Sequence, residues 1–196
     1  MSKKSIFLIA IGVIVLAVGV FMYSTYNTLV AHDEAVSTAW GNLQSQYQRR
    51  ADLVPNLVNT VKGYAKHESS TFEAVVNARA KATQVTLSTD DLTPEKLRQV
   101  QASQGELTQA LSRLLAVTEN YPDLKANENF SELQSQLEGT ENRINESRKL
   151  YNEDVRRYNV CVRTFPRNLV AGMFGFEVKT MFEADAQAQK APEVQF

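Results

Sequence analysis

An uncharged run of seventeen apolar and small residues at positions 6–22 (IFLIAIGVIVLAVGVFM) constrains this chain more than any other feature. Its length reaches the lower limit, about 17 residues, for a helix that crosses a bilayer core. A cleaved secretory leader has a shorter core, roughly 7–15 residues, followed by a small-x-small cleavage site. Here Phe21, Met22, Tyr23 and Ser24 close the run, and no lipobox cysteine follows. Tyr23 and Tyr26 suit the aromatic belt of a membrane interface. The reading is a retained single-pass anchor over residues 5–25. Lys3 and Lys4 precede the run, the first charges after it are Asp33 and Glu34, and no further cation appears before Arg49. The positive-inside rule then puts residues 1–4 in the cytoplasm and the rest of the chain on the other side.

From residue 27 onward the apolar pattern is helical. Val36, Trp40, Leu43, Tyr47 and Val54 recur mostly at steps of three and four, with Arg50 between them, which lays one stripe against a partner. Nothing separates this stretch from the anchor. Pro55 then interrupts: inside a helix it removes a hydrogen bond and clashes with the carbonyl of Ala51, whereas in the first turn of a new helix the missing donor costs nothing. Asp52 would be the N-cap of that new helix. A second stretch runs through Leu57, Val61, Phe72 and Val76 and fades near Thr83, and residues 84–93 read as a loop. Thr93-Pro94-Glu95 is a helix start. The third stretch carries Leu97, Val100, Gln104, Leu107, Leu111, Leu114 and Thr118, the cleanest heptad in the chain. After a break at residues 120–129 the fourth holds Leu133, Leu137, Ile144, Tyr151, Val155, Tyr158 and Val162, and Pro166 ends it.

The expected fold is all-α: an N-terminal transmembrane helix followed by a long antiparallel helical bundle over residues 27–165, then a C-terminal amphipathic segment and tail over 166–196. Four helices are favoured. The rival is three long helices, the first kinked at Pro55.

Composition and motifs remove most chemistry. Charged residues make up 22 % and nearly cancel, giving a net charge of −1. That argues against nucleic acid as a partner, which would need a basic patch or stripe. The single cysteine, Cys161, cannot form an intrachain disulfide and reads as a small buried hydrophobe. A bundle can host a di-metal site through Glu-x-x-His pairs. Neither His32 nor His67 has a glutamate three residues before it, and His67-Glu68 lacks the second histidine of a zinc-protease helix. No phosphate-binding loop, dinucleotide turn or nucleophile elbow is present. The expectation is no cofactor, no metal and no enzyme.

Several strings carry a resemblance. They include Tyr26-Asn27-Thr28-Leu29-Val30 and the segment QYQRRADLVPNLV from Gln46 to Val58. With them go Gly63-Tyr64-Ala65, Tyr121-Pro122-Asp123-Leu124, Glu141-Asn142-Arg143-Ile144, Tyr151-Asn152, Tyr158-Asn159 and the closing Ala191-Pro192-Glu193-Val194-Gln195-Phe196. Together they cover nearly the whole chain and resemble the LemA family. The resemblance implies a bacterial membrane-anchored helical-bundle protein and supplies no catalytic residue.

Several features remain as candidate sites. Arg49, Arg50 and Asp52 form a candidate polar patch; the plainer reading buries an arginine against a bundle carboxylate such as Glu141 or Glu146. Gln104 is placed to fix helix register as a buried polar residue does in a coiled coil. Tyr151 and Tyr158 lie seven residues apart, on one face, as core residues whose hydroxyls reach a polar edge. Residues 165–176 hold Phe165, Leu169, Met173, Phe174 and Phe176 beside Arg163 and Arg167. This segment either lies in the membrane interface or folds back to cap the bundle, or meets a protein. Gly12 and Gly19 in the anchor leave homo-oligomer formation open. The function expected is a scaffold or protein-interaction module at the bacterial inner membrane with protein partners unidentified, the alternative being a sensor or ligand-binding module.

Overall fold

The computed structural model describes residues 3–84 and 87–183. The expected cytoplasmic stub begins at residues outside these, and the polar tail and family-like closing residues from 184 onward lie outside them too. The described chain is all-α, with six α-helices and no strand. They are α1 (Lys3–Lys62), α2 (Ser69–Gln84), α3 (Pro94–Thr118), α4 (Pro122–Lys125), α5 (Glu128–Arg163) and α6 (Arg167–Phe174). A short 3-10 turn, Thr89–Asp91, precedes α3.

Helix α1 begins with the apolar run and continues without interruption through Pro55 to Lys62. The restart expected at Pro55 does not occur. Asp52 is exposed within the helix and accepts a hydrogen bond from Gln48 Nε2 at 2.7 Å rather than capping a new N-terminus. An interior proline costs about 3 kcal/mol, chiefly through the lost bond and the crowded carbonyl four residues back. Here that carbonyl, Ala51 O, accepts instead from Arg79 Nε of α2 at 2.7 Å. The chain turns later, at residues 63–68, where the amide of Gly63 bonds back to Thr60 O at 3.3 Å. The outcome combines the two expectations: one long first helix through Pro55, and a separate second helix all the same.

Helix α3 starts as its sequence predicts. Pro94 occupies the first turn, and Thr93 Oγ1 accepts from the amide of Lys96 at 3.3 Å. All seven heptad residues from Leu97 to Thr118 are buried. Asn127 caps α5, its Oδ1 accepting from the Phe130 amide at 3.0 Å. Gly175, at φ +75°, ends α6 in the left-handed conformation that glycine adopts without penalty.

The chain divides into two compact units. The first combines α1 up to Thr38 with Glu153–Lys179, and the second combines Ala39–Asn152 with the chain from Thr180. In the second unit α1 and α5 run antiparallel in fixed register. Trp40 meets Tyr151 (ring centroids 5.6 Å), Arg50 meets Glu141 (2.6 Å), and Tyr64 Oη accepts from Asn127 Nδ2 (3.0 Å). Each advance along α1 and into the turn that follows it is matched by an equal retreat along α5 to its N-cap. The core of this unit draws on five helices, with Leu57 from α1, Phe72 from α2, Leu114 from α3, Leu124 from α4 and Phe130 from α5. In the first unit Leu29, Val36, Val155, Tyr158 and Cys161 are buried together with Val170 and Ala171 of α6.

The Pro55 arrangement has a measurable signature. Arg79→Met leaves a buried carbonyl without a donor and is expected to cost about 1–3 kcal/mol. In a Pro55→Ala background the restored amide can bond Ala51 O, so the same change should cost clearly less. Urea denaturation of the four members of this cycle in detergent micelles measures the coupling.

Candidate functional site: a buried arginine, a clamped tail and an exposed apolar helix

The second unit is organised about Arg50. Its residue is 2 % exposed, and its guanidinium donates to partners on two other helices. Nη1 donates to Thr108 Oγ1 at 3.0 Å and to Glu141 Oε2 at 2.6 Å. Nη2 donates to the Gln104 side-chain oxygen and, at 3.4 Å, to its backbone carbonyl. Gln104 Nε2 in turn donates to Ala82 O of α2 at 3.2 Å. One polar set thus joins α1, α2, α3 and α5. A buried charge is tolerated only when paired and hydrogen-bonded, and the register that satisfies Arg50 is the one the apolar seams also select.

Beside this set lies an open cleft lined by Arg98, Gln101, Asn145 and Arg148 together with Tyr47, Arg50 and Glu141. Arg50 Nε and the Tyr47 hydroxyl are buried without a hydrogen-bond partner among the described residues. Burial pushes the Tyr47 phenol above its usual range, against the opposing pull of Arg148 and Arg50. The three residues of the candidate polar patch are not brought together. Successive helical residues are turned about 100° apart, so Arg50 is buried while Arg49 and Asp52 are exposed. Among the described residues no group of three or more His, Cys, Asp or Glu side chains is placed to hold a metal ion.

Beyond Gly175 the described chain is in no helix or strand, and asparagines hold it. In the first unit Asn159 Oδ1 accepts from the Lys179 amide and its Nδ2 donates to Lys179 O, both at 2.8 Å. Lys179 Nζ also meets Asp33 at 2.8 Å. In the second unit Asn152 does the same to Phe182, at 2.8 and 3.1 Å, and Tyr151 Oη donates to Thr180 O at 3.0 Å. Phe182 packs against Trp40 and Tyr151, with the Arg148 guanidinium 4.8 Å above its ring. Burial raises the Tyr151 phenol to about 12. The tyrosines of the Tyr-Asn pairs are core residues; the asparagines beside them bind backbone, a role the sequence reading did not assign. Their recurrence at the same seven-residue interval was the available signal.

Helix α6 has apolar residues on both sides. Val170 and Ala171 are buried, while Leu169 is 59 %, Met173 69 % and Phe174 51 % exposed. Phe165, just before the helix, is 76 % exposed, and Phe176, just after it, is half-buried. Phe174 and Phe176 set their rings edge-on to Tyr26 of α1, at centroid distances of 5.0 and 5.8 Å. Arg163 and Arg167 are exposed; Arg167 Nη1 also approaches Cys161 Sγ at 3.7 Å.

These features define an all-α bundle protein whose first helix is long and apolar enough to cross a membrane. A family model described as the LemA family matches residues 39–196. The chain belongs to the LemA family. It is similar to magnetosome protein MamQ 2 of Paramagnetospirillum magneticum, 26 % identical over 175 residues, covering 81 % of this chain and 64 % of that one. Magnetosome protein MamQ of Magnetospirillum gryphiswaldense is 25 % identical over 169 residues, covering 78 % and 62 %. Protein LemA of Metamycoplasma hominis is 24 % identical over 175 residues, covering 87 % and 75 %. The chain therefore spans less than two thirds of the length of the magnetosome relatives.

Glu141→Ala leaves the buried guanidinium without its counter-charge; because the Glu141 side chain is itself 39 % exposed, the expected cost is about 1–3 kcal/mol. Arg49→Ala, one residue from Arg50 but on the exposed side, should cost less than about 0.5 kcal/mol. Chemical denaturation of the two variants distinguishes a buried, paired arginine from a surface patch.

Proposed function

We propose that this protein is a non-enzymatic scaffold or protein-interaction module held in the bacterial inner membrane by the apolar part of α1. One observation carries the reading: the most apolar stretch of α1 has none of its residues buried, yet it continues as one helix into the wall of a packed bundle. An apolar surface of that size is unstable in water and stable in lipid. The polar centre of the second unit supports a structural role, because the Arg50 guanidinium is engaged by Gln104, Thr108 and Glu141. The cation asymmetry around the span supports a cytoplasmic N-terminus with the bundle outside the cytoplasm.

A ligand-binding module is the second reading. It rests on the cleft beside Arg50, where Arg50 Nε and the Tyr47 hydroxyl are buried without partners among the described residues.

Orientation is testable because Cys161, the one cysteine, is buried. A Ser88→Cys variant in intact spheroplasts should react with a membrane-impermeant maleimide; reaction only after lysis reverses the assigned topology. Photo-crosslinkers at exposed positions of α2 and α3, followed by mass spectrometry from native membranes, should recover the same few proteins from several positions, each capturing this chain reciprocally. Failure to enrich any protein over an unirradiated sample removes the scaffold reading.

A further inference from the structure

We propose that α6 lies in the headgroup layer of the bilayer that α1 crosses, with Phe165, Leu169 and Met173 seated in lipid. The inference rests on the membrane reading of α1 and adds a second point of contact to it. Its first support is composition by face. The inner side of α6 is already spent on the core through Val170 and Ala171, yet Leu169 and Met173 on its other side are 59 % and 69 % exposed, and Phe165 at its start is 76 % exposed. Large apolar side chains gathered in this way mark a surface that something covers.

The second support fixes what covers it. Phe174 and Phe176 place the end of α6 against Tyr26, their ring centroids 5.0 and 5.8 Å from its own. Tyr26 lies four residues after the uncharged run ends at Met22, a rise of about 6 Å. The polar layer on each side of a hydrocarbon core is about 5–8 Å deep. A span seated on the apolar run therefore puts Tyr26, and α6 with it, at headgroup depth. The exposed apolar residues of α6 and those of the span belong to the same compact unit. Charge agrees: Arg163 and Arg167, both exposed, lie at the start of the segment, where lipid phosphates could meet them, and their stems can lie along apolar surface while the guanidinium groups stay hydrated. Glu177 is the one acidic residue between Arg163 and Lys179.

The test uses the full chain reconstituted in phosphatidylethanolamine–phosphatidylglycerol vesicles. Single cysteines at Met173 or Leu169, in a Cys161→Ser background, carry an environment-sensitive fluorophore, and a fraction of the lipid carries a spin label near the headgroup. Phe21→Cys reports the span itself, and Val76→Cys, an exposed apolar position of α2, is the reference. Interfacial seating predicts blue-shifted emission at 173 and 169, and quenching by spin-labelled lipid at least about twofold above that at position 76, unchanged when lipid dilutes the protein. Quenching at position 21 with only reference-level quenching at 173 and 169 overturns the proposal and leaves the anchor standing. No quenching at position 21 overturns both. A blue shift at 173 and 169 without lipid quenching, or one that fades on dilution, assigns the face to a protein partner or a second copy and overturns the proposal equally.

Discussion

The second unit depends on a guanidinium that has nowhere to go but inward. Arg50 is on the face of α1 that the apolar stripe turns toward its neighbours, so its charge must be met inside the bundle or the stripe cannot close. Glu141, Thr108 and Gln104 meet it from two other helices, and Gln104 extends the set to α2 through Ala82. Apolar seams alone tolerate slippage by a turn. A buried cation whose partners occupy fixed steps on separate helices does not. The equal spacing of the Trp40–Tyr151, Arg50–Glu141 and Tyr64–Asn127 contacts is the register that results.

One residue further along α1 a second arginine solves a different problem. Arg79 reaches from α2 to the carbonyl that Pro55 leaves without its helical partner. An arginine from the partner helix thus serves the backbone of α1, while an arginine of α1 serves the side chains around it. A proline that elsewhere would end a helix is here the site where a neighbouring helix is docked.

Much of this was legible in the sequence, and the reason is periodicity. The heptad of α3 with its Thr93-Pro94 start, the burial of Cys161 and the place of Gln104 follow from residues a few steps apart, whose geometry is local; Glu141 was one of two carboxylates the sequence offered to Arg50, and only the fold selects it. The course of α1 through Pro55 was not legible. The local rule favours a break there, and what overrides it is a side chain twenty-eight positions away that no spacing argument identifies. The asparagine clamps were hidden for a related reason. An amide side chain that binds backbone leaves no complementary residue type in the segment it holds. Arg49 and Asp52 show the opposite failure: neighbours in the sequence suggested a patch, and the helical turn sends Arg50 to the interior and leaves the other two outside.

The contact between the tail and Trp40 gives the molecule an intrinsic optical gauge. The chain has one tryptophan. Its indole is 3 % exposed, donates through Nε1 to Leu87 O at 2.8 Å, and faces the Phe182 ring at 6.2 Å with the two planes 28° apart. Emission from this single fluorophore therefore carries information about whether residues 180–182 are seated, and their departure would wet the indole and shift its colour to the red. The protein comes with its own label at the place where the end of the described chain meets the bundle.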